Sequence, residues 1–230
     1  MILTSFSSFL NTFFASYDRT ILQALHSLAE AAGGFLTPVM RFFTWFGEHG
    51  ISMFLLAAVL LCFPKTRRAG VCVFGAVCCG ALITNITLKD LVARPRPFQA
   101  SELYASWWQL VGAPEETDFS FPSGHATSAM AGALALILAS PWKKRFTSCS
   151  MIYVFFLAVS RNYLCAHYPS DVLAGLLIGA FSALVAYGIT LLIFAFLEKY
   201  RRVPFFDWIL VFDIRHPFSY RSSAEHKREY

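Results

Sequence analysis

The segment Phe121-Pro122-Ser123-Gly124-His125 runs directly into an apolar stretch. Ser123 is a good helix N-cap, so the first free N–H groups of that helix face outward with the positive end of its dipole behind them. Gly124 lets an anion approach the backbone closely. His125 falls in the first turn, within reach of a bound anion. Other polar residues sit at the ends of other apolar runs. Lys89 and Arg96 close one, Arg161 and His167 close another, and Asp171 opens the last. Lys89, Arg96 and Arg161 supply three positive charges, which suit a phosphate dianion. Pro169 lies between His167 and Asp171, so a turn must join them. Asp171 can then accept from one imidazole nitrogen and leave the other free to attack phosphorus. His125 can protonate the leaving oxygen. No arrangement of carboxylates suggests a metal site, so the cations would stabilise the transition state in place of a metal.

Each residue also has a plainer reading. Asp171 could simply cap the last span, Arg161 could be a snorkelling end charge, and His167 an interfacial histidine. Arg94-Pro95-Arg96-Pro97 offers two arginines for one role. His26, His49, His216 and His226 have no comparable company.

The elements that must hold these residues are membrane helices. The 230 residues are 57% hydrophobic and only 14% charged, with mean hydropathy +0.54. Soluble domains carry about 25% charge. Apolar runs cover roughly 50–64, 69–88, 122–141, 146–160 and 172–197. Residues 42–47 can extend the first, and the fourth can lengthen if Arg161 faces inward. The expectation is a single all-α domain, an integral membrane helix bundle with five spans. Residues 1–47 add N-terminal interfacial helices or a sixth span. Residues 1–17 read as one amphipathic helix, with Phe6, Phe9, Leu10, Phe13, Phe14 and Tyr17 on one face. A second stretch, 19–31, ends at Gly33-Gly34. No secretory signal peptide is expected, because a basic segment and a cleavage site are lacking.

Most of the 19 Lys and Arg gather at three places. These are Lys65, Arg67 and Arg68, then Lys143, Lys144 and Arg145, then the tail 198–230. The positive-inside rule makes those places cytoplasmic. It puts all the chemistry-bearing residues on the opposite, extracytoplasmic side, although the two sets share no member. The net charge of +5, so placed, fits a bilayer better than a nucleic acid. The loop 98–121 carries Trp107-Trp108, suited to the membrane interface, and the acids Glu115, Glu116 and Asp118. Residues 204–218 read as an interfacial helix interrupted by Asp207, Asp213 and Arg215. The six cysteines read as apolar packing residues.

Lys89-x6-Arg96-Pro97, Pro122-Ser123-Gly124-His125 and Ser160-Arg161-x5-His167-x3-Asp171 together resemble the three-part signature of the type 2 phosphatidic acid phosphatase superfamily. The resemblance covers 89–171 and selects Arg96 over Arg94. It implies metal-independent hydrolysis through a phosphohistidine. His167 would be the nucleophile, Asp171 its orienter and His125 the acid. Lys89, Arg96, Ser123, Gly124 and Arg161 would hold the phosphate. The small size and basic loops are similar to bacterial members acting on undecaprenyl pyrophosphate. Phosphatidic acid, phosphatidylglycerol phosphate and lipid A phosphate stay open as substrates. Vanadium haloperoxidases share the signature but are soluble. A membrane protein that binds or moves a phospholipid without cleaving it is the non-enzymatic alternative, and it would need neither acid nor nucleophile.

Overall fold

The computed structural model describes residues 4–141 and 143–215, with side chains throughout except at 143–147. Among the described residues every regular element is a helix. The chain opens with α1 (Ser5–Phe13) and α2 (Ala15–Ala31). Next, α3 (Thr37–Phe46) passes through a 3-10 turn into α4 (Ile51–Leu61). Then α5 (Arg67–Ala81) runs on through a π-helical stretch, Leu82–Leu88, into α6 (Lys89–Val92). Two short helices follow, α7 (Pro97–Ala100) and α8 (Glu102–Leu110). The last four are α9 (Gly124–Ala139), α10 (Lys143–Tyr163), α11 (Pro169–Lys199) and α12 (Pro204–Val211).

All five apolar runs fall on helices. Thr37–Leu61, Arg67–Ala100 and Pro169–Lys199 are each long and apolar enough to cross a membrane, and Gly124–Ala139 is a shorter apolar helix. At about 1.5 Å per residue, α11 reaches roughly 46 Å, more than the ~30 Å hydrocarbon core. The outer surface is apolar: Leu55, Val59, Ile86, Phe155, Leu177 and Leu192 are all exposed. A soluble protein rarely leaves so continuous an apolar surface in water. These features define an integral membrane helix bundle.

Helix α9 forms the centre and packs on α5, α10 and α11. Its buried face is built from Ala126, Ala129, Ala131, Gly132, Ala133 and Ala135, so neighbours come close. The Gly175-x3-Gly179 pair of α11 sets the closest approach. A Cβ at Gly175 would lie 2.5 Å from the Ser123 carbonyl oxygen, and one at Gly179 2.5 Å from that of Thr127. Small residues at four-residue spacing give membrane helices backbone-to-backbone packing without a hydrophobic driving force. Here that packing presses the site-bearing turn onto α11.

One expectation needs correction, and two other readings gain detail. Residues 1–17 are not one helix. Phe14 ends α1, and only Ser7 and Leu10 of α1 are buried. Leu10 packs with Val92 and Phe121, while Phe6, Phe9 and Phe13 stay exposed. The second stretch does end as expected, with Gly33 at φ +53 and Gly34 at φ +81. The segment 98–121 is partly helical, through α7 and α8. Its tryptophans pack on protein: Trp107 stacks on His26 with ring centroids 4.4 Å apart, and Trp108 on Phe98 at 4.9 Å. Asp171 is the third residue of α11, not its N-cap.

At the end of the bundle away from Lys89 and Asp171, Arg67 donates to the carbonyls of Ile209, at 2.5 Å, and Phe212. Arg201 donates to Asp207 at 2.8 Å. Helix α12 is thereby tied to the basic ends of α5 and α11. Arg221, Lys227, Arg228, His216 and His226 lie outside the described residues, as do 216–218 of the expected tail helix.

Candidate active site

The polar residues marked out by sequence converge at one end of the bundle. The turn at 164–168 delivers His167. It leaves α10 with the Arg161 carbonyl accepting from both Ala166 N–H (3.1 Å) and His167 N–H (3.3 Å). Pro169, with its fixed φ, then starts α11 at the first helical position. Asp171 Oδ2 reaches back to accept from Tyr168 N–H at 3.0 Å, the return half of a capping box. So a proline-initiated helix places His167 just outside α11 and Asp171 in its first turn.

His167 is buried between two partners. Its Nε2 lies 3.3 Å from Arg96 Nη1. Arginine has no acceptor, so Nε2 must carry the lone pair and Nδ1 the proton. Nδ1 faces Ser120 Oγ at 3.4 Å and Asp171 Oδ2 at 3.7 Å. The expected direct bond from Asp171 to the ring is therefore a looser contact, because Ser120 Oγ takes Oδ2 at 2.5 Å. Burial and then the cations Arg96, Arg161 and Lys89 hold His167 well below the ordinary histidine value, which keeps it neutral.

Arg96 is wholly buried at the start of α7. Its Nε donates to the Asp118 carbonyl at 2.9 Å and its Nη1 to that of Ala166 at 2.8 Å. Its Nη2 meets Glu116 Oε2 at 2.6 Å and Asp118 Oδ1 at 2.5 Å. Lys89 Nζ pairs with Asp118 Oδ2, and Arg161 Nη2 with Glu116 Oε1. Burial would raise the Asp118 carboxyl, but Lys89 and Arg96 outweigh it and hold the group below its usual range.

Ser123 caps α9 as expected, with Oγ accepting from Ala126 N–H at 3.4 Å, and its own N–H donates to the Asp171 carbonyl at 3.1 Å. Gly124 lies against the end of the Asn85 side chain, whose amide a Cβ at that position would displace. The π-helical stretch supplies Asn85 and aims Lys89; such irregular turns cluster at functional sites. His125 Nε2 and Arg161 Nε are buried with no hydrogen-bond partner among the described residues. Buried polar atoms are normally paired, so these two mark a place built for a ligand. Gly124, His125 and Lys89 line a cavity of about 700 Å³, together with Asn85, Glu116, Asp118 and, across from them, Arg41, Trp45 and His49.

Sequence reasoning missed a supporting layer. Arg94 donates to Asp171 Oδ1 (2.5 Å), Ser170 Oγ (2.8 Å), Asp18 Oδ2 (2.9 Å) and Asn11 Oδ1 (2.8 Å). Its guanidinium also lies 3.9 Å from the Tyr168 ring centroid. The two Arg-Pro pairs thus divide the work, with Arg96 turned toward His167 and Arg94 toward the scaffold. Ser120, Glu116 and Asp118 were also missed. An acid-rich loop on the same side as Lys89, Arg96 and Arg161 was the available signal for the last two.

The PAP2 superfamily model matches residues 69–195, and the chain belongs to that family. It is a PAP2-type membrane lipid phosphatase. A decaprenylphosphoryl-5-phosphoribose phosphatase of Mycobacterium tuberculosis is 34% identical over 164 residues, which cover 71% of this chain and 85% of that protein. The undecaprenyl-diphosphatase BcrC of Bacillus subtilis is 30% identical over 191 residues, covering 83% and 88%. The crystal structure of a transmembrane PAP2-type phosphatidylglycerolphosphate phosphatase from Bacillus subtilis superposes with TM-score 0.62 at 23% identity, over 80% of this chain and 90% of that one, which shows the shared fold.

Proposed function

We propose that this protein hydrolyses the terminal phosphate of a polyprenyl diphosphate, converting undecaprenyl pyrophosphate to undecaprenyl phosphate through a phosphohistidine and without a metal. The observation that carries the mechanism is the orientation of His167, with a lone pair at Nε2 toward the cation cluster and the Nδ1 proton toward Ser120 and Asp171. Lys89, Arg96, Arg161, the Ser123 hydroxyl and the α9 N-terminus with Gly124 hold the phosphate.

In the first step Nε2 attacks the terminal phosphorus. An N–P bond forms, the bridging P–O bond breaks, and His125, protonated once the bound phosphate offsets the cations around it, gives that proton to the departing oxygen. In the second step neutral His125 takes a proton from water as that water attacks phosphorus. The N–P bond breaks, and inorganic phosphate leaves with His167 restored. Asp171 stabilises the Nδ1 proton throughout.

The substrate reading is supported by relatives named for polyprenyl-linked substrates and by a cavity much larger than one phosphate. The apolar wall residues Trp45, Val77 and Leu164 suit a headgroup whose tail stays in the bilayer. The site faces the extracytoplasmic side and the C-terminus the cytoplasm, a reading supported by Arg67 and Lys199 at the opposite end of the bundle.

The test is phosphate release by the purified protein in detergent with EDTA. The panel is undecaprenyl pyrophosphate, phosphatidic acid, phosphatidylglycerol phosphate and lipid A, with His167→Ala as control. Release that persists in EDTA, disappears in the variant and is fastest from the polyprenyl diphosphate is expected. Release that needs a divalent metal or survives the substitution overturns the mechanism. A different fastest lipid overturns the substrate.

A further inference from the structure

The three cations assigned to phosphate are already engaged by carboxylates of this chain. Glu116 bridges Arg96 and Arg161, and Asp118 bridges Lys89 and Arg96. Together they bring two negative charges to three positive ones, the same charge that a phosphate dianion brings.

Arg96 decides what this means. A guanidinium has five N–H donors. Nε serves the Asp118 carbonyl, Nη1 serves the Ala166 carbonyl and His167 Nε2, and Nη2 serves the carboxylates of Glu116 and Asp118. No hydrogen is left over. A phosphoryl group approaching His167 Nε2 can bond to Arg96 only by displacing one of these partners. The backbone carbonyls are fixed by the fold, and His167 Nε2 gives up its Nη1 hydrogen only as its lone pair turns to phosphorus. A phosphoryl dianion brought that close also meets the Glu116 and Asp118 carboxylates on Nη2, and like charge makes these leave.

They are placed to do so. Arg96 and Arg161 are fully buried, whereas the Asp118 side chain is 51% exposed and that of Glu116 is 20% exposed. Both carboxylates border the cavity. They sit in an irregular stretch between α8 and Ser120, behind Gly112 at φ +55 and Pro114. Arg41 holds the start of that stretch through the Gly112 carbonyl.

We propose that Glu116 and Asp118 are specificity residues that act as displaceable stand-ins for the substrate phosphate. They occupy the anion site between turnovers, yield only to a group carrying comparable charge, and return to expel inorganic phosphate. This rests on reading Lys89, Arg96 and Arg161 as the phosphate site. It predicts weak binding of free phosphate despite three buried cations.

The test uses Glu116→Gln, Asp118→Asn and the double variant, with inorganic phosphate as probe. Two readouts are taken in detergent: the inhibition constant of phosphate against lipid phosphate hydrolysis, and the phosphate-induced rise in Tm, which needs no activity. The inhibition constant should fall by about tenfold per carboxylate removed, since each gives up charge-assisted bonds to the cluster. The Tm rise at fixed phosphate should grow in step, and KM should fall. An unchanged or raised inhibition constant, with no larger Tm rise, overturns the proposal and makes the two acids fixed positioning groups. Arg96→Gln separates the underlying reading. If it leaves wild-type hydrolysis and phosphate inhibition intact, the cation cluster is not the phosphate site.

Discussion

Arg94 Nη1 lies 2.5 Å from Asp171 Oδ1, and both residues are buried from solvent. The same guanidinium holds Asp18 of α2 at 2.9 Å, while Asp18 also accepts from Ser170 N–H and Oγ, each at 2.8 Å. One arginine therefore ties the N-terminal helices to the first turn of α11. Arg94→Ala leaves two buried carboxylates without a counter-charge, a loss of about 3–5 kcal/mol. Arg94→Lys should not rescue, because an ammonium cannot reach four acceptors in the planar arrangement that Arg94 uses. Arg96→Gln should lower stability much less, since its acidic partners border the cavity, yet cut hydrolysis by at least about 10²-fold. Thermal unfolding and phosphate release in detergent, measured on all three variants, check this. Equal losses of Tm for Arg94→Ala and Arg96→Gln would contradict the division of labour.

If His125 serves as the acid, its loss should matter in proportion to how poor the leaving group is. An alkyl or polyprenyl phosphate leaves only with a proton, whereas p-nitrophenolate leaves without one. His125→Ala should slow lipid hydrolysis by about 10²–10⁴-fold and p-nitrophenyl phosphate hydrolysis far less. His167→Ala should abolish both. The ratio of the two rates in each variant is the measurement. A His125→Ala defect of the same size on both substrates would assign His125 to binding.

The helical bundle and the converging residues were legible because they rest on local signals. Apolar runs mark helices, Pro169 and Ser123 mark starts, and Gly33-Gly34 marks a stop. The supporting layer was not legible, since it is made of long-range contacts. Arg94 meets Asp18 across 76 positions, and Arg161 meets Glu116 across 45. A buried aspartate in α2 looks like any polar residue of an amphipathic helix until its partner is in place. Glu116 and Asp118 read as plain loop acids for the same reason. The break at Phe14 escaped because the aromatic spacing continues through it.

The contact between α11 and the Ser123 turn gives a steric prediction. A methyl group at Gly175 would meet the Ser123 carbonyl oxygen at 2.5 Å and Ala126 Cβ at 3.1 Å. Neither is a flexible chain end. Gly175→Ala should cost about 1–3 kcal/mol and lower kcat by shifting the turn that carries Gly124 and His125. Gly188, further along the same helix, has nothing within 4 Å of its would-be Cβ. Gly188→Ala should be neutral or stabilise by about 0.5–1 kcal/mol. Paired Tm and kcat measurements test this, and a Gly175→Ala variant as stable and active as Gly188→Ala would refute the close-packing account.

His167 makes the last prediction, one of sign. Burial first, then Arg96, Arg161 and Lys89, disfavour its protonated form and hold it well below the ordinary 6.5. In the proposed mechanism the neutral ring is the nucleophile, so a depressed value keeps it competent in acid where a free histidine would already be charged. The linkage runs the same way. Well above pH 6.5 the ring is neutral in both folded and unfolded chains and contributes nothing to the pH dependence of stability. Below 6.5 the unfolded chain binds a proton that the folded one refuses, so stability falls with pH until the folded value is reached. NMR titration of ¹⁵N-histidine-labelled protein, with the signal assigned by its loss in His167→Asn, reads this directly. At pH 6.5 the ring should be neutral with the proton on Nδ1. Replacing Arg96 by Gln should move the titration upward, because it removes the buried cation that lies 3.3 Å from Nε2 and opposes protonation. A ring already half-charged at pH 6.5, or a downward shift in that variant, would remove the electrostatic basis for His167 as the attacking group.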